Sequence, residues 1–180
     1  MPFRFAFPRQ PALLRTGLVL AGLLFLAGGL ASPHPAIAAD MVDVRKAIAE
    51  QRLFDAFEDL LPLAKEGNAE AQYELAGFYH YGRVGAADFT KARMWYQRSA
   101  NQGNVDAMIG LAVMNGFGQG GKIDRREAVK WLVIAGNQQI PADEAAKVAE
   151  KRDELAAELS PDEMNTVLAE ARSFVPRQEH

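Results

Sequence analysis

Residues 67–102 read GNAEAQYELAGFYHYGRVGAADFTKARMWYQRSANQ, and residues 103–138 read GNVDAMIGLAVMNGFGQGGKIDRREAVKWLVIAGNQ. The two align without a gap at an offset of 36 residues. Identical pairs include Gly67/Gly103, Asn68/Asn104, Ala71/Ala107, Leu75/Leu111, Gly82/Gly118, Asp88/Asp124, Ala92/Ala128, Trp95/Trp131 and Gln102/Gln138. A period of about 20 to 50 residues marks a solenoid, because a unit of that size cannot bury its apolar face alone and must stack on its neighbours.

Each unit reads as two helices. Asn68 and Asn104 stand where an N-cap belongs, and Ala71, Leu75, Phe78 and Tyr79 then recur at helical spacing, as do Ala107, Leu111 and Met114. This is helix A of each unit. Gly82 and Gly85, and Gly116, Gly118, Gly120 and Gly121, are expected to end it by supplying positive φ. Asp88 and Asp124 then cap helix B, with Glu127 as a capping-box partner in the second unit. Ala92/Ala128, Trp95/Trp131 and Ser99/Ala135 form its inner stripe, the small residues letting helices approach and each tryptophan filling the space between pairs. The expected fold is all-α, an α/α solenoid of stacked antiparallel helix pairs.

The phase extends outward. Ala56, Leu60, Ala64 and Gly67 precede Ala92, Tyr96, Ala100 and Gly103 by the same 36 residues, so 53–66 is a B-type helix, preceded by a short one carrying Val44, Ala47 and Ile48. Downstream, Ala145, Val148, Arg152, Leu155 and Leu159 trace one more helix. Ser160, Pro161, Asp162 and Glu163 then form a capping box with proline at the first helical position, opening a last helix through Met164, Val167, Leu168, Ala171 and Phe174. The expected divisions are an atypical first pair at 39–66, repeats at 67–102 and 103–138, and a charged terminal cap at 139–175.

The pattern of Ala71, Leu75, Ala76, Tyr79, Gly82, Asp88, Lys91, Ala92, Trp95, Tyr96, Ser99, Ala100 and Gly103, with its weaker second copy, resembles the Sel-one-like repeat (SLR) family, short-helix relatives of the tetratricopeptide repeat. Departures from the family pattern are Val84 before Gly85, Asn115 in the place of Tyr79, and Gln139 for the closing glycine. The resemblance implies an adaptor or regulator that binds another protein or peptide. It also implies that the A helices line the concave side, where positions differing between copies can set specificity. Those positions give a candidate groove of Gln72, Tyr73, Phe78, His80, Met108, Ile109, Met114 and Asn115, half or more of which are expected in the core.

Ahead of the repeats, Arg4, Arg9 and Arg15 precede an uncharged run at 17–31, too short to span a bilayer as a helix. Pro33 and Pro35 break it, and Ala36-Ile37-Ala38 supplies a small-x-small cleavage site. Residues 1–38 are therefore expected to be a signal peptide, cut after Ala38, which places the mature chain in the periplasm or the medium of a bacterium. The alternative is a retained anchor and a membrane-tethered regulator. Setting aside those three arginines leaves 17 basic against 23 acidic residues, a net charge near −6 that disfavours nucleic acid and anionic lipid as partners. With no cysteine, the chain has no disulfide, thiolate metal site or cysteine nucleophile.

Catalytic residue types are present but not assembled. Gly116, Gly118 and Gly121 spell G-x-G-x-x-G, and Gly116 to Lys122 spells G-x-x-x-x-G-K, yet the run follows a helix rather than a strand and Ile123 stands where Mg²⁺ needs a hydroxyl. Both are read as an inter-helix turn. His80 has no second histidine at helical spacing, and Ser99, Ser160 and Ser173 have packing, capping and surface readings. No catalytic, cofactor or metal residue is therefore expected, and the chain reads as a monomeric, non-enzymatic interaction scaffold. The alternative from another class is a glycan-binding or glycan-cleaving envelope protein using carboxylates such as Glu74 and Asp106.

Overall fold

Side-chain caps set where the helices begin. In the computed structural model, which describes residues 40–179, Asn68 accepts from the amide of Ala71 and Asn104 from that of Ala107, each at 2.9 Å. Asp88 and Asp124 do the same for Lys91 and Glu127. These caps open α3 (Ala69–Tyr81), α5 (Val105–Phe117), α4 (Phe89–Asn101) and α6 (Arg125–Gly136). Upstream lie α1 (Met41–Ala49) and α2 (Leu53–Lys65); downstream, α7 (Ala142–Ala156) and α8 (Pro161–Arg172). The described residues are thus all helix and turn. The expected leader lies outside them.

The repeat dictates the packing. Each helix from α1 to α6 packs against the next, so that A and B helices alternate through the stack, and α6 in turn meets α7. Ala71, Ala76, Ala92 and Ala100 of the first repeat, and Ala107, Ala112, Ala128 and Ala135 of the second, are fully buried at the contacts between helices. Leu75, Leu111 and Leu60 are fully buried in the same apolar core. Burying each leucine contributes about 1.5–3 kcal/mol, which short helices need because they are marginal alone.

Several local expectations are corrected. Of the turn glycines, Gly82, Gly118 and Gly120 adopt positive φ, whereas Gly85 and Gly121 do not. Gly116 lies inside α5, where an added Cβ would be in ordinary contact, 3.4 Å, with the Leu155 side chain, so the residue does not end the helix. Asp124 caps α6, but the Glu127 carboxylate turns to the Trp131 indole N–H, 2.8 Å away, and to Lys130, leaving the box half formed. The box of Ser160 and Glu163 is complete.

The terminal cap also differs from a fourth pair. α7 and α8 each pack on α6. α8 ends at Arg172, so Phe174, expected in its apolar stripe, lies beyond it and sets its ring edge-on to Trp131, centroids 5.5 Å apart. From there the chain turns back along the stack. The first pair is closed by a tight turn in which Gln51 takes a φ of 59°, a conformation that the repeats give to glycine.

Candidate interaction surface

The eight groove candidates do not form one surface. Gln72, Phe78, Met108, Met114 and Asn115 are buried to 1% exposure or less, so these five, within the half or more expected in the core, do not line an open groove. The reason is that α3 packs on both α2 and α4, and α5 on both α4 and α6, leaving only a narrow strip of each A helix uncovered. Differences between copies at these positions therefore record different packing neighbours as well as any different partner.

Tyr73, His80 and Ile109 remain partly exposed. The Tyr73 ring lies 5.9 Å from that of buried Tyr96. His80 stacks on Tyr81 at 4.7 Å and meets Phe89 and Tyr96 edge-on, while its Nε2 lies 2.9 Å from Oε1 of Gln119 in the next repeat's turn. Tyr81 itself is 67% exposed. Around this aromatic strip, burial holds the Glu74 carboxyl above its ordinary range, with Arg83 opposing and Glu70 and Asp106 adding to the shift. Burial first, then Asp106 and Glu74, pushes the Tyr73 hydroxyl up as well. Tyr73, Glu74, Asp106 and Arg83 thus share one electrostatic neighbourhood, with Asp106 exposed in the first turn of α5.

The glycine motif is a packed turn. A Cβ on Gly120 would clash with the Phe89 carbonyl oxygen, and one on Gly121 would come within 2.8 Å of an Arg93 nitrogen, so the turn is packed against α4. Among the described residues, no group of three or more His, Asp or Glu is placed to hold a metal ion.

Gln72 belongs to a different assembly, which sequence reasoning missed. Its amide N–H groups donate to the Ala64 carbonyl and the Glu179 carboxylate, at 3.0 and 2.8 Å, and its oxygen accepts from Gln102 at 2.8 Å. Gln102 also donates to the Gly67 carbonyl at 2.9 Å and accepts from the backbone N–H of Glu179 at 3.1 Å. Arg98 completes the enclosure. Its Nε donates to both Glu179 carboxylate oxygens at 3.1 and 3.0 Å, its Nη2 forms an ion pair with the same group, and its guanidinium lies 4.6 Å above the Trp95 ring. Beside these residues, a cleft of about 790 Å³ runs between α4, α6 and the segment after α8. The recurrence of Gln102 at Gln138 was visible in the repeat; nothing in the alignment pointed to Glu179, which lies outside both copies.

This geometry of capped helix pairs around an alanine-rich interior defines a short repeat solenoid. The model of the Sel1 repeat matches residues 69–104 and 105–139, each match starting two residues after the expected unit at 67–102 or 103–138, so two Sel1 repeats occupy that span. Among solved structures it is similar to a protective antigen present in uropathogenic Escherichia coli strains that displays an SLR fold, with 19% identity and a TM-score of 0.67. The match covers 74% of this chain and 28% of that one, so this chain spans under a third of the protein it resembles. No curated protein sequence matches.

Proposed function

We propose that this protein is a non-enzymatic scaffold, acting as a monomer in the periplasm or medium, that holds a protein partner against the exposed strip of α3 and α5. Sel1 repeats generally mediate protein–protein interaction, and the proteins carrying them are typically non-enzymatic. The observation that carries the reading is the cluster of Tyr73, His80 and Tyr81, reachable from solvent and bordered by Glu74, Asp106 and Arg83, with Ile109 partly exposed at the position of α5 that matches Tyr73. Tyrosine on a rigid element supplies contact area at low entropic cost, and tyrosine and arginine are both enriched at binding hot spots. The export-type leader at 1–38 supports the compartment.

The test compares partner capture from envelope extract by the wild-type chain and by a Tyr73→Ala/Ile109→Ala variant. Met108 is unsuitable for this purpose, since truncating a buried methionine opens a core cavity costing about 2–5 kcal/mol. A specific protein retained by wild type and lost by the folded variant is the expected result. Equal retention by both would remove this face from the proposal.

A further inference from the structure

The segment at 173–179 lies across the repeats in the manner of a bound peptide. Phe174 rests on Trp131; Pro176 passes over Gly103, where a Cβ would come within 3.3 Å of its ring; Glu179 passes over Gly67, where a Cβ would meet its own Cβ at 2.9 Å. Gly67 and Gly103 are the same position in successive units. Pro176 and Glu179, three residues apart and separable by at most about 10 Å of extended chain, thus meet the same position of successive repeats, a step of one repeat for three residues. The backbone is read too, the Arg177 N–H donating to the Asn101 carbonyl at 2.9 Å.

The far end of this track is a built pocket rather than a surface contact. Gln72 and Gln102 are buried to 5% exposure or less, and they bond to one another in a way that leaves one N–H and one carbonyl oxygen pointing outward. A glutamate residue supplies the complement to both, its carboxylate to the N–H of Gln72 and its backbone N–H to the oxygen of Gln102. Burying such groups without a partner costs about 1–3 kcal/mol each. Met108 replaces Gln72 in the second repeat, so this pocket occurs once along the matched repeats.

We propose that this track is a peptide-binding site, filled in cis by 173–179, which takes from a partner protein an extended segment bearing an aromatic residue and a glutamate five residues after it. The aromatic anchor seats on Trp131, a small or proline residue crosses Gly103, and the glutamate enters the pocket of Arg98, Gln72 and Gln102. The partner must displace the resident segment, so the affinity of the intact chain is set by that competition. This assignment rests on the scaffold reading, but concerns a different face from the α3 and α5 strip.

The experiment measures fluorescence anisotropy of a labelled, amide-capped peptide of residues 173–179 with the full chain. A Phe174→Ala/Glu179→Ala variant, whose own segment is released, should bind the peptide at least tenfold more tightly than wild type. Adding Arg98→Ala to that variant, or lysine at the peptide's glutamate, should each weaken binding tenfold or more. A folded released variant that binds no better than wild type overturns the proposal, as does indifference to the glutamate. A second measurement uses the wild-type chain alone, following hydrogen exchange at the Arg177 and Glu179 amides. Excess peptide should accelerate it, and unchanged exchange overturns the proposal. A doubled mass with concentration-dependent exchange would assign the track to a second copy and overturn the separate partner. Failure here with continued partner capture on the Tyr73 and Ile109 face would leave the scaffold reading standing.

Discussion

Asn115 and Glu179 are two polar residues in opposite circumstances. Asn115 is fully buried in α5, and its amide nitrogen and oxygen find no hydrogen-bond partner in the protein. An unpaired buried amide costs about 1–3 kcal/mol, whereas leucine has the same branched heavy-atom skeleton, slightly enlarged by its methyl groups, and no polar atom to pair. Asn115→Leu is therefore expected to stabilise the protein by about 1 kcal/mol, read as a rise in the denaturation midpoint at unchanged m-value. Glu179 is the satisfied case. The Arg98 guanidinium, and after it the Gln72 amide, hold its carboxyl below the ordinary range against the opposing effect of burial. Because the folded value is the lower one, the stabilisation is complete above the unfolded value of about 4.3 and is lost as pH falls through the folded value. Hydrogen exchange at the Arg177 and Glu179 amides, corrected for its intrinsic pH dependence, should quicken as pH is lowered below 4.3. In a Glu179→Gln variant that extra acceleration should vanish.

At the scale of elements, the turns decide more than the helices do. Helices α3 and α5 each end at a glycine in the left-handed region, Gly82 at a φ of 60° and Gly118 at 69°, so the carbonyls of the last turn are satisfied without strain. Gly120 carries a second task, since its backbone lies against that of Phe89 and joins the turn of the second repeat to the start of α4. Gly120→Ala would combine a positive φ of 72° with a clash against backbone that cannot swing aside. It is expected to lower stability by about 2 kcal/mol or more by chemical denaturation. At Gly85, which has ordinary φ and open space around it, Gly85→Ala should change stability by less than half as much.

At the scale of the molecule, the stack is a first pair, two matched repeats and a cap of two helices on α6, with a returning segment that ties the cap to the first repeat. That tie joins residues 107 positions apart, Gln72 and Glu179, in a fold whose helices mostly pack against the next helix in the chain. The proposed export of the chain is a whole-molecule property as well. The mass of protein recovered from the periplasm or medium should correspond to a chain starting at Ala39, or at Asp40 for the adjacent cleavage site. A mass including residues 17–31 would establish a retained anchor and replace the secreted scaffold by a tethered one.

The repeat, its caps, and the small and tryptophan positions of the interior were legible in sequence, because local spacing and the 36-residue period both report contacts between near neighbours. Leu75, Trp95 and Asn68 therefore stand where the reading placed them. Which A-helix residues reach solvent was not legible, since Phe78 and Met108 are buried by helices on two sides and their exposure depends on the whole stack. The end of α8 before Phe174 and the return of Glu179 to Gln72 were also decided only by tertiary structure. No local rule of spacing or propensity encodes a hydrogen bond to a residue 107 positions away; it forms because the stack brings Arg98, Gln72 and Gln102 to one edge and leaves their polar groups to be completed.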